Sequence, residues 1–269
     1  MRVAKIHPTA IVGKNAGLGE VEIGPYAIIE DGASIGSGTI VLAHAYIASG
    51  TTIGRDCEVH MGAVIGHAPQ HLHFKGAKSF LKIGDRNIFR EYTSIHRGME
   101  EGSATVIGND NFFMGFSHVA HDCRIGNNVV LCNGALIAGH ADIEDAAFIS
   151  GNVTVHQFVR IGALAMIGGL ARVNKDVVPY TLIEGDSEAC SLNVVGLKRS
   201  SIGEDAKAQI KKVYRMLYRS GLNVSNALAG ISKLGGLAPE AAHMVEFVKR
   251  SERGICKHRK TGAPSAEDL

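Results

Sequence analysis

Large apolar residues recur at every sixth position through most of this chain. Starting at Ile11 and stepping by six to Val173, the sequence places Ile, Val, Leu or Phe at 24 of 28 positions. This period matches neither an α-helix nor an ordinary β-strand. Hexapeptide periodicity is typical of a parallel β-helix, in which each hexad forms a short strand and a turn. We predict one unbroken phase from Ile11 to Val173, with these side chains pointing inward.

Three hexads form one coil of about 18 residues, so this region has room for roughly nine coils. Ordinary strands with chance spacing are the alternative, but an alternation of period two does not hold its phase over so long a region. The predicted fold class is mainly β, a left-handed parallel β-helix of hexapeptide repeats with a carboxy-terminal α-helical domain. Glycine follows the apolar residue directly in nine hexads, and we expect it to supply the turns. These glycines are Gly24, Gly36, Gly54, Gly66, Gly84, Gly108, Gly126, Gly162 and Gly168.

The repeat is interrupted at His71, Ala77 and Glu101, which fall in two polar segments. We predict that residues 66–80 and 97–105 form loops that leave the solenoid. Insertions in repeat arrays leave from one face and often form the binding site. The interruptions therefore indicate where a substrate would bind.

Helical patterns replace the hexads in the last quarter of the chain. Ser201 and Glu204 have the spacing of a capping box, which predicts a helix from there to about residue 219, with Gly221 as its stop. Two more helices are predicted over 223–234 and 239–252. Each carries an apolar stripe that can pack against the solenoid.

These patterns divide the chain into a left-handed parallel β-helix domain at 1–190, a helical domain at 191–256 and a flexible tail at 257–269. We expect the helical domain to cover the open end of the solenoid. The amino terminus lacks the apolar core of a signal peptide, and no stretch is long enough for a membrane span. A cytoplasmic protein without stable membrane insertion is therefore expected.

Charge is unevenly distributed along the chain. Residues 1–197 hold 14 Lys and Arg against 19 Asp and Glu, whereas residues 198–260 hold 14 against five. The carboxy-terminal part should therefore meet an anionic partner, although a solvated helical surface would have the same composition. Aromatic residues are not interleaved with the basic ones, so nucleic acid is not expected. The five cysteines are scattered and never spaced as CxxC, which disfavours disulfides and zinc-thiolate sites.

Histidines are abundant and lie close to the inward positions. His121, His140 and His156 follow one another at intervals close to one coil, so these side chains should fall along one edge of the stack. The neighbouring Asp122 can fix the tautomer of His121 and stabilise its charged form, as a general base acting on a hydroxyl requires. Successive strand residues face opposite sides, so this pair works only at a coil corner. Gly139 can offer its N–H to an oxyanion.

Seven segments carry a resemblance to a known family. They lie at 6–12, 95–98, 118–123, 138–140, 156–158, 196–199 and 218–221. Together they make the whole chain resemble the acyl-carrier-protein-dependent UDP-N-acetylglucosamine O-acyltransferases, which open lipid A synthesis. The resemblance implies a cytoplasmic homotrimer that needs no cofactor and no metal. It transfers a 3-hydroxyacyl chain from acyl carrier protein to the 3-hydroxyl of the UDP-sugar.

The resemblance also implies residue roles. His121 would be the general base, Asp122 would orient it, and the Gly139 N–H would stabilise the oxyanion. A larger set would bind substrate: the sugar and phosphate residues Gln70, His71, His73, His96, His118, His140, His156 and Gln157, the nucleotide residues Asn193 and Arg199, and Gly169 at the acyl-chain ruler. The acidic carrier protein would be the partner of the basic carboxy-terminal part.

Three departures from the family pattern suggest alternatives. The family usually carries Gln-Asp-Leu-Lys where this chain has Gln70, His71, Leu72 and His73. Where the family usually has Glu, this chain has Val195. Where the family has the second of two consecutive Arg residues, this chain has Ser200. These changes leave open a paralogue that acts on a modified sugar nucleotide, such as a 3-amino sugar. A γ-carbonic-anhydrase-like zinc enzyme and a catalytically silent scaffold are two further alternatives.

Overall fold

The main body of the chain is the predicted left-handed parallel β-helix, as seen in a computed structural model that describes residues 4–259. Most strands contain only two residues and pair in parallel with the strands of the coils above and below. Three sheets result, which we call the first, second and third faces of the prism. The turn that joins two faces is called a corner.

As far as Val173, the strands of each face follow one another at every third position along the chain. The strands Thr181–Glu184, Glu188–Leu192 and Lys257–His258 then extend the first face, with the first two of these antiparallel. The first face contains β1 (Lys5–Ile6), β4 (Glu22–Ile23), β7 (Ile40–Val41), β10 (Glu58–Val59), β13 (Ile88–Phe89), β16 (Phe112–Phe113), β19 (Val130–Leu131), β22 (Phe148–Ile149), β25 (Met166–Ile167), β27 (Thr181–Glu184), β28 (Glu188–Leu192) and β29 (Lys257–His258). The second face contains β2 (Ile11–Val12), β5 (Ile28–Ile29), β8 (Tyr46–Ile47), β11 (Val64–His67), β14 (Ser94–His96), β17 (His118–Val119), β20 (Leu136–Ile137), β23 (Thr154–Val155) and β26 (Arg172–Val173). The third face contains β3 (Gly17–Leu18), β6 (Ser34–Ile35), β9 (Thr51–Ile53), β12 (Phe80–Ile83), β15 (Ala104–Ile107), β18 (Arg124–Ile125), β21 (Asp142–Ile143) and β24 (Arg160–Ile161).

The core is a single column of side chains inside the prism. From Ile23 onward the apolar residue of each regular hexad is buried, as predicted. A small residue two positions earlier is buried with it, as Ala135 is with Ile137. The thiol of Cys123 fills the same kind of position before Ile125. Each coil therefore closes its core with one large and one small side chain per face.

The predicted phase is wrong in the first coil. Ile11 is 64% exposed, whereas Val12 pairs with Ile29 and packs against the core. Leu18 likewise pairs with Ile35. The inward positions of this coil lie one residue later than predicted, because the step from Leu18 to the next inward residue, Ile23, is one residue shorter than a hexad. Residues 11 and 12 are both apolar, so the sequence pattern does not reveal this one-residue shift.

The expectation that glycine supplies the turns is also wrong. Of the nine glycines named above, all of which are described, only Gly66 has a positive φ. The left-handed residue is the third after each inward position, and from Tyr26 to Leu170 fifteen of these are not glycine. The glycines instead permit close stacking: a Cβ on Gly108 would lie 2.6 Å from the carbonyl oxygen of Gly126 one coil above. They determine how closely the coils approach.

Because of this stacking, adding one methyl group should destabilise the fold more at a glycine that contacts the next coil than at a glycine that does not. Gly108→Ala should lower the free energy of unfolding by ~1–3 kcal/mol, because the backbone of the next coil must move. Gly151→Ala is the matched control, since its Cβ would make only a 3.4 Å contact, and it should change stability by less than ~0.5 kcal/mol. Urea unfolding followed by circular dichroism measures both. Equal stability of the two variants would contradict the stacking role.

Four helices follow the last coils. They are α1 (Val194–Arg199), α2 (Glu204–Tyr218), α3 (Val224–Ile231) and α4 (Pro239–Lys249). The three predicted helices are present within a few residues of their expected bounds, and the buried stripe of α2 includes Ile210, Val213 and Leu217. The short α1 was not predicted. It is capped by Asn193, whose side chain accepts a hydrogen bond from the Gly196 N–H at 2.9 Å.

Two details of the helical region differ from expectation. The N-cap of α2 is Gly203, which makes no side-chain capping bond, so the predicted capping box of Ser201 and Glu204 does not form. Within the predicted flexible tail, Lys257–His258 forms strand β29 and pairs with β28, and this part is not frayed. The remainder of that tail, residues 260–269, lies outside the described residues.

Helix α4 attaches the helical region to the third face. The Arg160 guanidinium stacks over the Phe247 ring at 4.1 Å and donates a hydrogen bond to its carbonyl oxygen. The imidazole of His243 lies 2.8 Å from the Glu144 carboxylate. The helices therefore pack against the side of the last coils. Between residues 4 and 259, no helix is both long and apolar enough to cross a membrane.

Candidate active site

Both predicted loops leave the solenoid at the corner between the second and third faces. The first connects β11 to β12, and the second connects β14 to β15. On the first face, Val59 pairs with Phe89 across the first loop, and Phe89 pairs with Phe113 across the second. Compared with a regular coil of about 18 residues, the first insertion adds two hexads and the second adds one. Because both are whole hexads, the inward phase survives them.

The next coil brings His121 and Asp122 to this same corner. Asp122 has a φ of 58°, which turns the chain and lets two successive side chains meet. His121 Nδ1 lies 2.9 Å from Asp122 Oδ2, and the two side chains are 12% and 11% exposed. The corner position that the pair requires is thus present. Asp122 can hold the Nδ1–H of His121, which leaves Nε2 as the proton acceptor.

The second loop supplies further donors to Asp122. The Met99 N–H donates to Asp122 Oδ2 at 3.0 Å, and the Ser103 hydroxyl donates to the same carboxylate. Burial raises the pKa of Asp122, but the hydrogen bonds from His121, Ser103 and Met99 outweigh it, and the net pKa is lowered. The carboxylate therefore stays ionised at neutral pH and keeps its hold on the imidazole.

Gly139 lies one coil above His121, at the same position in its hexad. A Cβ at Gly139 would lie 2.8 Å from both Cε1 and Nε2 of His121. The imidazole therefore packs directly against the backbone of the next coil, which only glycine allows. The Gly139 N–H has no acceptor among the described residues. An N–H donor without a partner, next to a basic nitrogen, can stabilise an oxyanion.

Two more imidazoles surround the pair. The ring of His71, from the first loop, lies 5.6 Å from the ring of His121, and the ring of His140 lies 5.1 Å from it. His140 Nε2 is 3.9 Å from Asp122 Oδ2. His140 also stacks on Phe158 at 4.6 Å. The first loop therefore closes over the pair.

His96 and His118 form a second pair, on strands β14 and β17 of the second face. Their rings meet edge to face at 4.8 Å. The Gln70 N–H donates to His96 Nδ1 at 3.4 Å, and Ser94 Oγ lies 2.7 Å from His118 Nδ1. Burial lowers the pKa of His96 to about 4 and lowers the pKa of His118. Both rings are therefore neutral at neutral pH, and His96 helps to anchor the first loop.

The other predicted site residues are placed in different ways. His73 lies on the exposed first loop, and its N–H donates to His71 Nδ1. His156 and Gln157 occupy the same corner one coil above Gly139, where the Arg253 guanidinium lies 3.3 Å from His156 Nδ1. All three side chains can face a molecule bound at this corner.

Three predicted site residues lie at other places. Gly169 is at the corner between the first and second faces. The amide of Asn193 donates to the Leu164 carbonyl at the corner between the third and first faces, and Arg199 is exposed in the last turn of α1. The single chain therefore does not bring these residues to the His121 pair.

Several residues of the site were missed from the sequence. These are Ser94, Met99, Ser103, Phe158 and Arg253, through the contacts given above. Phe158 had a detectable signal, since it follows His140 by one regular coil. Met99 contributes its backbone N–H, and the residue type at a position does not indicate such a contact. Arg253 comes from beyond α4, where no repeat specifies a position.

Comparisons with known proteins identify the family of the chain. Residues 176–256 match the model of domain 2 of UDP-N-acetylglucosamine O-acyltransferase, and residues 32–67 and 104–139 match bacterial transferase hexapeptide repeats. The acyl-(acyl-carrier-protein)–UDP-N-acetylglucosamine O-acyltransferase of Thermodesulfovibrio yellowstonii is 44% identical over 256 residues, which cover 94% of this chain and 99% of that protein. Its counterpart from Gloeothece citriformis is 44% identical over 202 residues, 75% of this chain and 73% of that protein.

Solved structures extend the similarity to the whole fold. The UDP-N-acetylglucosamine acyltransferase of Bacteroides fragilis is 40% identical and superposes with a TM-score of 0.89 over 93% of this chain and 99% of that one. The Francisella novicida enzyme is 34% identical, with a TM-score of 0.90 over 98% of both chains. Identity at this level over nearly the full length shows common descent as well as a common fold. The chain therefore belongs to the UDP-N-acetylglucosamine O-acyltransferase family.

Proposed function

We propose that this chain transfers a 3-hydroxyacyl group from acyl carrier protein to the 3-hydroxyl of UDP-N-acetylglucosamine, the reaction that opens lipid A synthesis. Its family consists of acyltransferases that carry this sugar nucleotide in their names. The observation that carries the proposal is the His121–Asp122 pair, with the imidazole packed against the Gly139 backbone. One basic nitrogen and one N–H donor at a corner are what acyl transfer to a hydroxyl needs.

The proposed reaction needs no covalent enzyme intermediate. Nε2 of His121 takes the proton of the sugar hydroxyl as its oxygen attacks the thioester carbon. The Gly139 N–H donates to the resulting oxyanion. When the intermediate collapses, the carbon–sulfur bond breaks, and the pantetheine thiolate receives the proton from His121. Cys123, the nearest thiol in sequence, is not suited as a nucleophile because burial raises its pKa to about 12.

Asp122 acts in this scheme through His121 and not on substrate. Its lowered pKa keeps it anionic, so it stabilises the imidazolium formed after proton uptake. The substrate contacts are proposed to come from His71, His73, Gln70, His118 and His140 around the pair. His156 and Gln157 would continue this surface one coil above.

The alternatives are not favoured. Relatives that match almost the whole chain are named for UDP-N-acetylglucosamine, so a modified sugar nucleotide is not proposed despite His71 and His73. Membership of an acyltransferase family also replaces the carbonic-anhydrase-like interpretation and the silent scaffold. The histidine cluster that suggested a zinc enzyme is instead the surroundings of the general base.

Substitutions at the pair test the chemistry. His121→Ala should lower kcat by roughly 10²- to 10⁴-fold, because a general base contributes about that much. Asp122→Asn should lower kcat by at least ~10-fold, and Asn tolerates the left-handed φ of this position. A radiolabelled acyl-transfer assay with acyl carrier protein and UDP-N-acetylglucosamine measures both.

The control for these variants is Lys82→Ala, which removes an exposed side chain on the third face. It should leave kcat within a factor of about two, since Lys82 faces solvent on a strand and not the corner. Circular dichroism and thermal unfolding verify that all three variants keep the solenoid. Full activity of His121→Ala would contradict the proposed mechanism.

We further propose that the chain works as a homotrimer. Gly169, Asn193 and Arg199 lie away from the His121 corner, so a second copy is needed to bring them to it. Exposed apolar side chains also lie on the first and second faces, among them Leu136 and Phe148. Exposed aromatic and aliphatic side chains follow the corner between these two faces: Tyr26, Tyr92, Phe116 and Leu170.

Two adjacent apolar faces favour closure around a threefold axis. Each copy would place its first face against the second face of the next, a heterologous contact that closes after three copies. The outward residues of the third face are largely polar or charged, including Lys82, Arg124 and Asp142. An apolar surface of this extent is unusual on a monomer.

A charge on the apolar faces tests the assembly. The double variant Leu136→Glu, Phe148→Glu should sediment as a monomer and lose acyl transfer, because burying two carboxylates opposes association. Lys82→Glu on the third face is the control and should remain trimeric and active. Analytical ultracentrifugation gives the masses. A monomeric wild type, or an active monomeric double variant, would contradict the homotrimer.

The carrier protein is proposed to bind a basic groove between α1 and α2. The groove is lined by cationic side chains over an apolar floor that includes Leu192 and Leu197. Its cationic residues are Lys198, Lys207, Lys211, Arg215 and Arg219. An acidic protein suits such a surface, since clustered charge steers association.

Reversing charge in this groove tests the partner. Lys211→Glu, Arg215→Glu should raise KM for the acyl-carrier substrate by roughly tenfold at low salt and leave kcat nearly unchanged, because surface charges mainly affect association. Lys14→Glu, at the other end of the solenoid, is the control. Steady-state kinetics at two ionic strengths measure the effect. A fall in kcat with unchanged KM would refute this docking surface.

A further inference from the structure

The His121 corner gathers metal ligands as well as a general base. Among residues 4–259, potential ligand atoms of His121, Asp122 and His140 all lie within 4.8 Å of one another. His121 Nδ1 and His140 Nε2 are 2.9 Å and 3.9 Å from the same oxygen, Asp122 Oδ2. The ring of His71 packs edge-on against His121. Two imidazoles and one carboxylate therefore converge on one small volume, and the His71 ring lies next to them.

This donor set and its spacing match zinc. Zinc binds imidazole nitrogen and carboxylate oxygen at about 2.0–2.2 Å, with four ligands in tetrahedral geometry. Ligand atoms around such an ion are then about 3.3 Å apart. The separations around Asp122 Oδ2 bracket that value, so side-chain adjustments of less than an ångström are enough for His121, Asp122 and His140, whereas His71 must turn toward them. The hard ions Mg²⁺ and Ca²⁺ prefer oxygen ligands and do not suit three imidazoles.

We propose that a zinc ion binds reversibly to His71, His121, Asp122 and His140, in the place of the proton that His121 and Asp122 share, and inhibits the enzyme. The proposed inhibition rests on the acyl transfer proposed above, whereas the proposed zinc binding does not. The displaced proton passes to solvent. Zinc on Nδ1 leaves the only proton of the neutral imidazole on Nε2. Nε2 then cannot accept the proton of a sugar hydroxyl.

The packing around each ligand determines whether its side chain is already held in position or must reorient to bind the ion. The His121 ring is held against Gly139, and the His140 ring is held by Phe158. Asp122 is held by the Met99 N–H. His71 lies on an exposed loop, so it can turn its nitrogen to the ion at little cost. Three ligands are therefore rigid, and the fourth closes over the metal.

The test measures zinc binding and activity separately. The chain is first treated with a chelator, and zinc is then titrated by equilibrium dialysis with metal analysis. We expect one zinc per chain, tetrahedral absorption bands when cobalt replaces zinc, and loss of acyl transfer that a chelator reverses. Binding at least ~10-fold weaker is expected in His140→Asn and in His71→Asn, because each removes one ligand.

A matched control exists at another corner of the solenoid. His44 has the same φ of 58° as His140 and stacks on Tyr26 as His140 stacks on Phe158, but no carboxylate ligand cluster surrounds it within the described residues. His44→Asn should bind zinc as tightly as the wild type. Thermal unfolding verifies that the Asn variants are folded. Asn tolerates the left-handed conformation of His44 and His140.

The outcomes separate the two proposals. No stoichiometric zinc, or equal affinity in all three variants, overturns the zinc site. One zinc per chain with unchanged turnover overturns the inhibition alone. A metal-free wild type without acyl transfer contradicts the proposed function, and zinc binding is still decided by dialysis and by the cobalt spectrum.

Discussion

The structure depends on parallel pairing between successive coils. Each coil donates its backbone N–H groups to the coil above, as His118 does to Ala135 at 2.9 Å. A coil cannot satisfy these groups or bury its apolar edge alone, so it is stable only in register with its neighbours. Both insertions leave at a corner, so the strands on either side of them keep this pairing, as Val59 does with Phe89 and Phe89 with Phe113.

The same pairing builds the candidate active site. Residues with equal positions in successive coils lie above one another, which places Gly139 over His121 and aligns Asp122, His140 and Phe158. Two insertions leave at this corner and bring His71 and the Met99 N–H to the pair. General base, oxyanion donor and candidate metal ligands thus share one column. The proximity that supports proton transfer also makes the corner a candidate zinc site.

Much of this could be predicted from the sequence because a short repeat relates distance along the chain to distance in space. The prism, both loops, the corner position of His121 and Asp122, and the apolar stripes of α2 and α4 are confirmed. The errors occurred where residue type is ambiguous. Ile11 and Val12 are equally apolar, so the inward phase of the first coil was predicted one residue early. Glycine was interpreted as a turn former, although its lack of a side chain serves coil stacking.

The sequence by itself determined the β-helix, its interruptions and the histidine-rich edge, since an unvarying period constrains every coil in the same way. Only the tertiary structure decided which atoms meet. The donors to Asp122 are a backbone N–H and a serine from an irregular loop, and Arg253 reaches His156 from outside the repeat. The distribution of Gly169 and Asn193 over other corners became visible only in three dimensions. Contacts between irregular segments depend on how the whole chain packs, and no local pattern encodes them.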